Sequence, residues 1–109
     1  MLARGSGSIV AITSELAVGG GDRDSHYAMA KGAIIGVVRS LAAEVAASGI
    51  RVNAVRPGII DTDIHASGGE PDRAERLGAQ VPLQRPGSAD EVAQAIVWLL
   101  GPQSSYCTG

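Results

Sequence analysis

Gly49-Ile-Arg-Val-Asn-Ala-Val-Arg-Pro-Gly58 decides the fold class. Gly49 stands where a helix can end in the left-handed conformation that glycine tolerates, and Ile50 to Val55 is a short apolar run with the composition of a buried strand. Pro57-Gly58 closes that strand with a turn. Upstream, Ala30, Ile34, Val37, Val38, Leu41 and Val45 recur at spacings of three and four while Arg39 and Glu44 fall off the stripe, so a helix is predicted from His26 to Ala47. Before it, Gly19-Gly-Gly-Asp-Arg-Asp-Ser25 reads as a loop. Ser8-Ile-Val-Ala-Ile-Thr13 reads as a first strand, apolar enough to be buried on both faces of a parallel sheet. Strand, helix, strand is a parallel crossover unit, a connection that is right-handed in about 98% of cases. The fold class is therefore α/β.

Beyond Gly58 the chain is polar and glycine-containing as far as Gln80, with a short helix predicted from Pro71 through Leu77. A segment of this kind after the carboxyl end of a strand is suited to act as a substrate lid. Ser88-Ala-Asp-Glu91 has the pattern of a capping box, and Val92, Ile96, Leu99 and Leu100 form the expected inward stripe of a last helix that stops at Gly101-Pro102. Trp98 is read as a packing residue.

A chain of 109 residues is at most one domain. It is 45% apolar yet has no Phe, one Trp and two Tyr, so burial must come from the small and branched aliphatic residues. Nine basic against eleven acidic side chains leave a net charge of −2 and no basic stripe, which argues against a nucleic-acid partner. Cys107 is the single cysteine, which excludes an internal disulfide and a cysteine-rich metal site and fits a reducing, cytoplasmic setting. No apolar run reaches the length of a membrane span, and no signal-peptide pattern opens the chain.

The chemistry is carried by His26-Tyr-Ala-Met-Ala-Lys31, with Ser14 thirteen positions before the tyrosine. On a helix, Tyr27 and Lys31 at i and i+4 share one face. A phenol ordinarily keeps its proton well above neutral pH, and a neighbouring ammonium favours the phenolate. Ser14, at the end of the first strand, can then donate a hydrogen bond to the same substrate oxygen. A lone Tyr-x-x-x-Lys is also a common surface pair. Other sites are poorly supported: His26 and His65 have no carboxylate or cysteine at ligand spacing, so no metal is expected. His65 lies in the lid segment and could touch substrate. The three glycines at 19 to 21 lack the pattern of a phosphate cradle, and no Gly-x-Ser-x-Gly elbow surrounds a serine.

The succession Gly7-Ser-Ile-Val-Ala-Ile-Thr-Ser14, His26-Tyr-Ala-Met-Ala-Lys-Gly-Ala33 and Gly49 to Gly58, with Thr62 four residues on, resembles the short-chain dehydrogenase/reductase family in motif, order and spacing. The segments Ile64 to Pro71 and Glu91 to Leu100 add similarity to bacterial glucose dehydrogenase-like and 3-oxoacyl-carrier-protein reductase-like oxidoreductases. The resemblance implies that residues 1 to 109 are the C-terminal, catalytic portion of a Rossmann-type doubly wound parallel sheet. The nucleotide-binding half and a final strand are then missing, and each retained strand is expected to lack a neighbour. It also implies an NAD(P)-dependent oxidoreductase that interconverts a small-molecule alcohol and a carbonyl. Tyr27 would exchange the proton with the substrate oxygen, Lys31 would assist it and bind the nicotinamide ribose, and Ser14 would orient the carbonyl. Pro57 and Gly58 resemble the turn that sets Ile59 and Ile60 against the nicotinamide carboxamide, with Thr62 nearby. The family's relay asparagine lies upstream, outside this chain, so the relay is incomplete. NADP or NAD is the implied cofactor, with NADP favoured by family habit. A homodimer or homotetramer through helix 26–47 is implied, because that helix carries small residues around much of its circumference. The alternative is a catalytically silent remnant or assembly module of such an enzyme.

Overall fold

Gly49 adopts φ 70° at the end of a helical stretch, and a Cβ there would collide with the backbone of Gly5, so only glycine fits this corner. On its two sides lie the elements that build the scaffold. The computed structural model describes all 109 residues. Strand β1 (Gly7–Ile12), the one-turn helix α1 (Leu16–Gly19), the long helix α2 (Ser25–Val45) and strand β2 (Ile50–Val55) come first. They are followed by β3 (Ile60–Asp61), α3 (Ile64–Ser67), α4 (Arg73–Gly78), β4 (Gly87–Ser88) and α5 (Ala89–Leu100). Strands β1 and β2 pair in parallel from Gly7 opposite Ile50 to Ile12 opposite Val55, joined by α2. The α/β class and the predicted strand 50–55 are thus observed, and the predicted first strand and long helix are each displaced by only one or two residues.

Helix α2 covers one face of this two-stranded sheet. Val38 and Ala42 pack on Ile50 and Val52, with Ile9, Ala11, Ile34, Leu41, Val45 and Ala54 around them. Val52 is almost wholly buried, a contribution of about 2 kcal/mol for a side chain of that size. Two residues read into the inward stripe face outward instead. Val37 is 61% exposed and Ala30 is also exposed, because the inward line runs through Ile34, Val38, Leu41 and Val45 and Val37 sits about 100° round from Val38.

Helix α5 packs on the opposite face. Its start is a complete capping box: Ser88 Oγ accepts from the Glu91 N–H at 3.2 Å, and the Glu91 carboxylate accepts from the Ser88 N–H at 2.8 Å. Val92, Ile96 and Leu99 are half-buried, but Leu100 and Trp98 are each 48% exposed. The packing role read for Trp98 is therefore corrected. It lies one residue, about 100°, from the inward Leu99 and borders a shallow groove with Gln94 and Gln103.

Arg51 ties β2 to the far end of α5. Its guanidinium donates to the carbonyls of Leu99 and Gly101 and to Ser104 Oγ, all at 2.9 Å. This places a cation on the last carbonyls of the helix, where the macrodipole favours it. The chain's end then runs along the outer edge of β2. Gly109 N–H donates to the Val52 carbonyl at 2.9 Å, the Val52 N–H donates to Thr108 Oγ1, and Asn53 Nδ2 donates to the Cys107 carbonyl. As expected, neither strand has a second neighbouring strand beside it, although the tail occupies part of the outer edge of β2. At the end of β1, Lys31 Nζ donates to the Ile12 carbonyl at 3.0 Å.

The segment from Ile59 to Gly87 is made of short pieces. The predicted helix 71–77 appears as Arg73–Gly78, and the two-residue parallel pair β3–β4, with Ile60 opposite Gly87, is an element no periodicity announces. No helix is long and apolar enough to cross a membrane.

Candidate active site

The carboxyl ends of β1 and β2 set the site. At the first, Thr13 and Ser14 are buried to 4% and 9% exposure. The Thr13 N–H continues the ladder to the Val55 carbonyl at 2.9 Å, and its hydroxyl donates to the Lys31 carbonyl at 2.8 Å, so the strand end is fastened to the middle of α2. Ser14 Oγ accepts from the Leu16 N–H at 3.2 Å. Its own proton makes no bond within the chain and is free for a ligand.

Tyr27 lies in the first turn and a half of α2, 39% exposed, with its phenol making no internal hydrogen bond. Lys31, one turn later, holds its Nζ 5.7 Å from the centroid of the Tyr27 ring while donating to the Ile12 carbonyl. At that range an ammonium over an aromatic face is attracted by the ring quadrupole. Ser14 and Tyr27 line one cleft of about 440 Å³, together with Gly58 and Ile59. Two of the three catalytic candidates therefore converge on one space, with the third beside the tyrosine ring.

Pro57, Gly58, Ile59 and Ile60 border a second cleft of about 580 Å³, whose other walls are chiefly Val55, Val81 to Leu83, Val92 and Ala95. The two clefts share Glu15, Gly58 and Ile59, so the turn after β2 is the ridge between them. This turn is held from several sides. The Pro57 carbonyl accepts from the Glu15 N–H at 3.2 Å, the Ile59 carbonyl accepts from the Gly87 N–H at 2.9 Å, and His65 Nε2 donates to the Ile60 carbonyl at 2.8 Å. His65 lines the first cleft, so it is both a wall residue and a brace for the turn. His26 is exposed and lines neither cleft. Thr62 is also exposed and lines neither, its carbonyl accepting from the His65 N–H at 3.4 Å.

Four charged residues of the first cleft escaped sequence reasoning: Glu15, Asp24, Glu70 and Arg73. Glu15 follows the serine directly and Asp24 immediately precedes α2, and these positions were the only available signals. Arg73 donates to Glu70 Oε1 at 2.8 Å and lies 4.0 Å from Asp24 Oδ2, while Arg76 takes the other Glu70 oxygen at 2.6 Å. At the rim of the second cleft, hydrogen bonds from Arg85 and the Ser88 N–H hold the Glu91 carboxyl down to about 2. No group of three or more His, Cys, Asp or Glu is placed to hold a metal ion.

The first cleft presents the Ser14 and Tyr27 hydroxyls, and the second is the more apolar of the two. A Cβ on Gly58 would meet only the tip of Glu15, so the shared ridge is low and leaves room for close approach.

The family model described as Enoyl-(Acyl carrier protein) reductase matches residues 1–109. The chain is 52% identical over 107 residues to the uncharacterized oxidoreductase YgfF of Escherichia coli (strain K12), covering 96% of this chain and 43% of that protein. It is 42% identical over 109 residues to the 3-oxoacyl-[acyl-carrier-protein] reductase FabG of Salmonella typhimurium, covering all of this chain and 44% of the relative. A crystal structure provisionally named an NAD(P)-dependent gluconate 5-dehydrogenase, from Beutenbergia cavernae with NADP bound at low occupancy, superposes with TM-score 0.88 at 36% identity. That match covers 99% of this chain and 44% of the neighbour, so the chain spans less than half the length of the proteins it resembles. The strand, turn and helix that carry Ser14, Tyr27 and Lys31 are thus part of a known architecture, and the chain belongs to the short-chain dehydrogenase/reductase family, matching the C-terminal portion of its Rossmann-type fold.

Proposed function

We propose that this chain is the catalytic portion of an NAD(P)-dependent oxidoreductase that interconverts an alcohol and a carbonyl. The observation that carries the reading is the convergence of Ser14 and Tyr27 on one cleft with Lys31 Nζ 5.7 Å from the tyrosine ring. Ser14, with its proton free, orients the substrate oxygen. Tyr27 delivers a proton to that oxygen during reduction and takes it back during oxidation. Lys31, with its Nζ 5.7 Å from the tyrosine ring, would assist that exchange and meet a ribose hydroxyl of the cofactor. Pro57, Gly58, Ile59 and Ile60 would hold the nicotinamide end, and Thr62 adds a contact if the lid segment moves inward. The nicotinamide supplies or accepts the hydride, while the protein contributes position and electrostatics. NADP is favoured over NAD by the ligand of the Beutenbergia neighbour.

In a full-length form, Tyr27→Phe is expected to lower carbonyl-dependent NAD(P)H oxidation by 10² to 10⁴, roughly the range for loss of a general acid, with cofactor affinity nearly unchanged. A variant keeping half the wild-type rate would sink the assignment. The single Cys107, with no disulfide partner, suits a cytoplasmic enzyme.

The exposed face of α2 supports the proposed homodimer or homotetramer. Ala30, Ala33, Gly36, Val37 and Ala43 all face outward, and small residues allow two helices to approach closely about a two-fold axis. A Cβ on Gly36 meets nothing within 4 Å, so Gly36→Glu introduces no clash inside the subunit. It should shift the full-length enzyme toward monomer in light scattering, and an unchanged oligomer would exclude this face.

A second reading is a catalytically silent truncated remnant or assembly module of such an enzyme. It rests on the chain matching only 43–44% of the length of its relatives. Micromolar NAD(P)H affinity in the 109-residue chain would contradict it.

A further inference from the structure

Three carbonyls of the turn after β2 are held from within the chain, and one of these holds comes from a side chain. The Pro57 and Ile59 carbonyls accept from the backbone N–H groups of Glu15 and Gly87, at 3.2 and 2.9 Å, whereas the Ile60 carbonyl accepts from His65 Nε2 at 2.8 Å. A carbonyl can only accept, so Nε2 carries the proton in this contact. The last two bonds lie on either side of one residue. The Gly87 bond fixes the peptide plane joining Ile59 to Ile60, and the His65 bond fixes the carbonyl of the plane joining Ile60 to Asp61. With both planar units held, the φ and ψ of Ile60 have little freedom left. The Ile60 side chain is packed as closely: a Cβ on Gly87 would lie 2.8 Å from Ile60 Cδ1, and Ile60 forms part of the wall of the second cleft.

His65 is itself anchored. Its N–H donates to the Thr62 carbonyl at 3.4 Å and its carbonyl accepts from the Glu70 N–H at 2.9 Å, while the Glu70 carboxylate takes Arg73 and Arg76. The ring thus reaches the turn from α3, which is tied through Glu70 to α4. On the dehydrogenase reading above, on which this step rests, the turn meets the nicotinamide end of the cofactor. We infer that His65 is a positioning residue for that end: it locks the backbone of Ile60 and so keeps the apolar wall in one setting for the nicotinamide ring. Without this bond the plane after Ile60 depends on the β3–β4 pair, whose two residues, Ile60 opposite Gly87 and Asp61 opposite Ser88, are too few to hold firmly by themselves. Cofactor binding must then order the turn, and affinity falls.

The test measures binding to a full-length form, with NADPH and NADH as probes and their nicotinamide-free counterparts, 2′-phospho-ADP-ribose and ADP-ribose, as references. No carbonyl compound is present, so changes to the substrate side of the first cleft, which His65 also lines, do not enter. His65→Leu should raise the Kd of the dinucleotide that the unmodified enzyme prefers by about three- to tenfold, the loss expected from one hydrogen bond, and leave the Kd of its nicotinamide-free counterpart unchanged. His65→Gln, which can still place an amide N–H on the Ile60 carbonyl, should recover most of the affinity. Ser67→Ala, on the same helix but lining neither cleft, should keep all of it. Equal weakening of dinucleotide and fragment would mean that His65 supports the fold at large and would overturn the positioning role. An unchanged Kd in His65→Leu, or a Gln variant as weak as the Leu variant, would overturn it too, and each of these results leaves the dehydrogenase reading intact. An unmodified enzyme that binds neither NADPH nor NADH would remove that reading, and with it this role of His65.

Discussion

The β1–α2–β2 unit and the segment from Ile59 to Gly87 are built on opposite principles. In the first, two six-residue strands and a 21-residue helix enclose an aliphatic core, and the catalytic candidates sit at the strand end and on the helix. In the second, elements of two to six residues are joined by exposed ion pairs and braced at a few backbone carbonyls. The contrast separates two tasks. Ser14 and Tyr27 must keep a fixed separation, which dry packing provides, while a wall that admits substrate is better held by interactions that break at little cost.

Substitutions in the two regions should therefore differ in kind. The largest effect on stability is expected at Arg51. Arg51→Ala removes donors to two carbonyls and a hydroxyl at the junction of β2, α5 and the tail, and should cost about 2–4 kcal/mol in chemical denaturation. Val52→Ala comes next, at about 2 kcal/mol, because it opens a space in a core with few other buried side chains. A loss below about 0.5 kcal/mol in both would dissolve the contrast. In the segment from Ile59 to Gly87, Arg73→Ala should cost under about 1 kcal/mol, since its partners are partly exposed. Its consequence should appear instead as a changed KM in steady-state kinetics, as the wall of the first cleft loosens.

The smallest effect concerns pH. The Glu91 carboxyl is held at about 2 against an ordinary value of 4.5, so between these values the unfolded chain binds more protons than the folded one. Stability from this group is present above pH 4.5 and is lost as pH falls toward 2. Both side chains are about half exposed, so the slope should be slight, and Arg85→Gln should flatten it further in acid denaturation curves. A steeper slope in the variant would reverse the assignment.

The same contrast governs what was legible in the sequence. Ile50 to Val55, the helix around Ile34, Val38 and Leu41, and the Ser88–Glu91 box follow from local periodicity and capping, and the structure has them within two residues. The positions of Ser14 just past a strand and of Tyr27 and Lys31 one helical turn apart followed from spacing, while their proposed roles came from the family resemblance. Val37 and Trp98 were misread because an apolar residue about 100° from the inward line looks, in sequence, like a member of it. The pair β3–β4, the tail along β2 and the Arg73 cluster depend on contacts between distant residues, and nothing in residues 59 to 87 has a period that reveals them. Glu15 was passed over for a simpler reason: a single acidic residue beside a motif carries no pattern of its own.

The central claim is that Ser14 and Tyr27 act on one substrate oxygen, and a double-mutant cycle on kcat/KM in the full-length form tests it most directly. Ser14→Ala and Tyr27→Phe should each lower kcat/KM by about 10² or more, and the double variant should fall no more than about tenfold below the weaker single variant, because groups that serve one transition state are not additive. A double variant whose loss equals the product of the two single losses would show that the residues act independently, and would contradict the shared site.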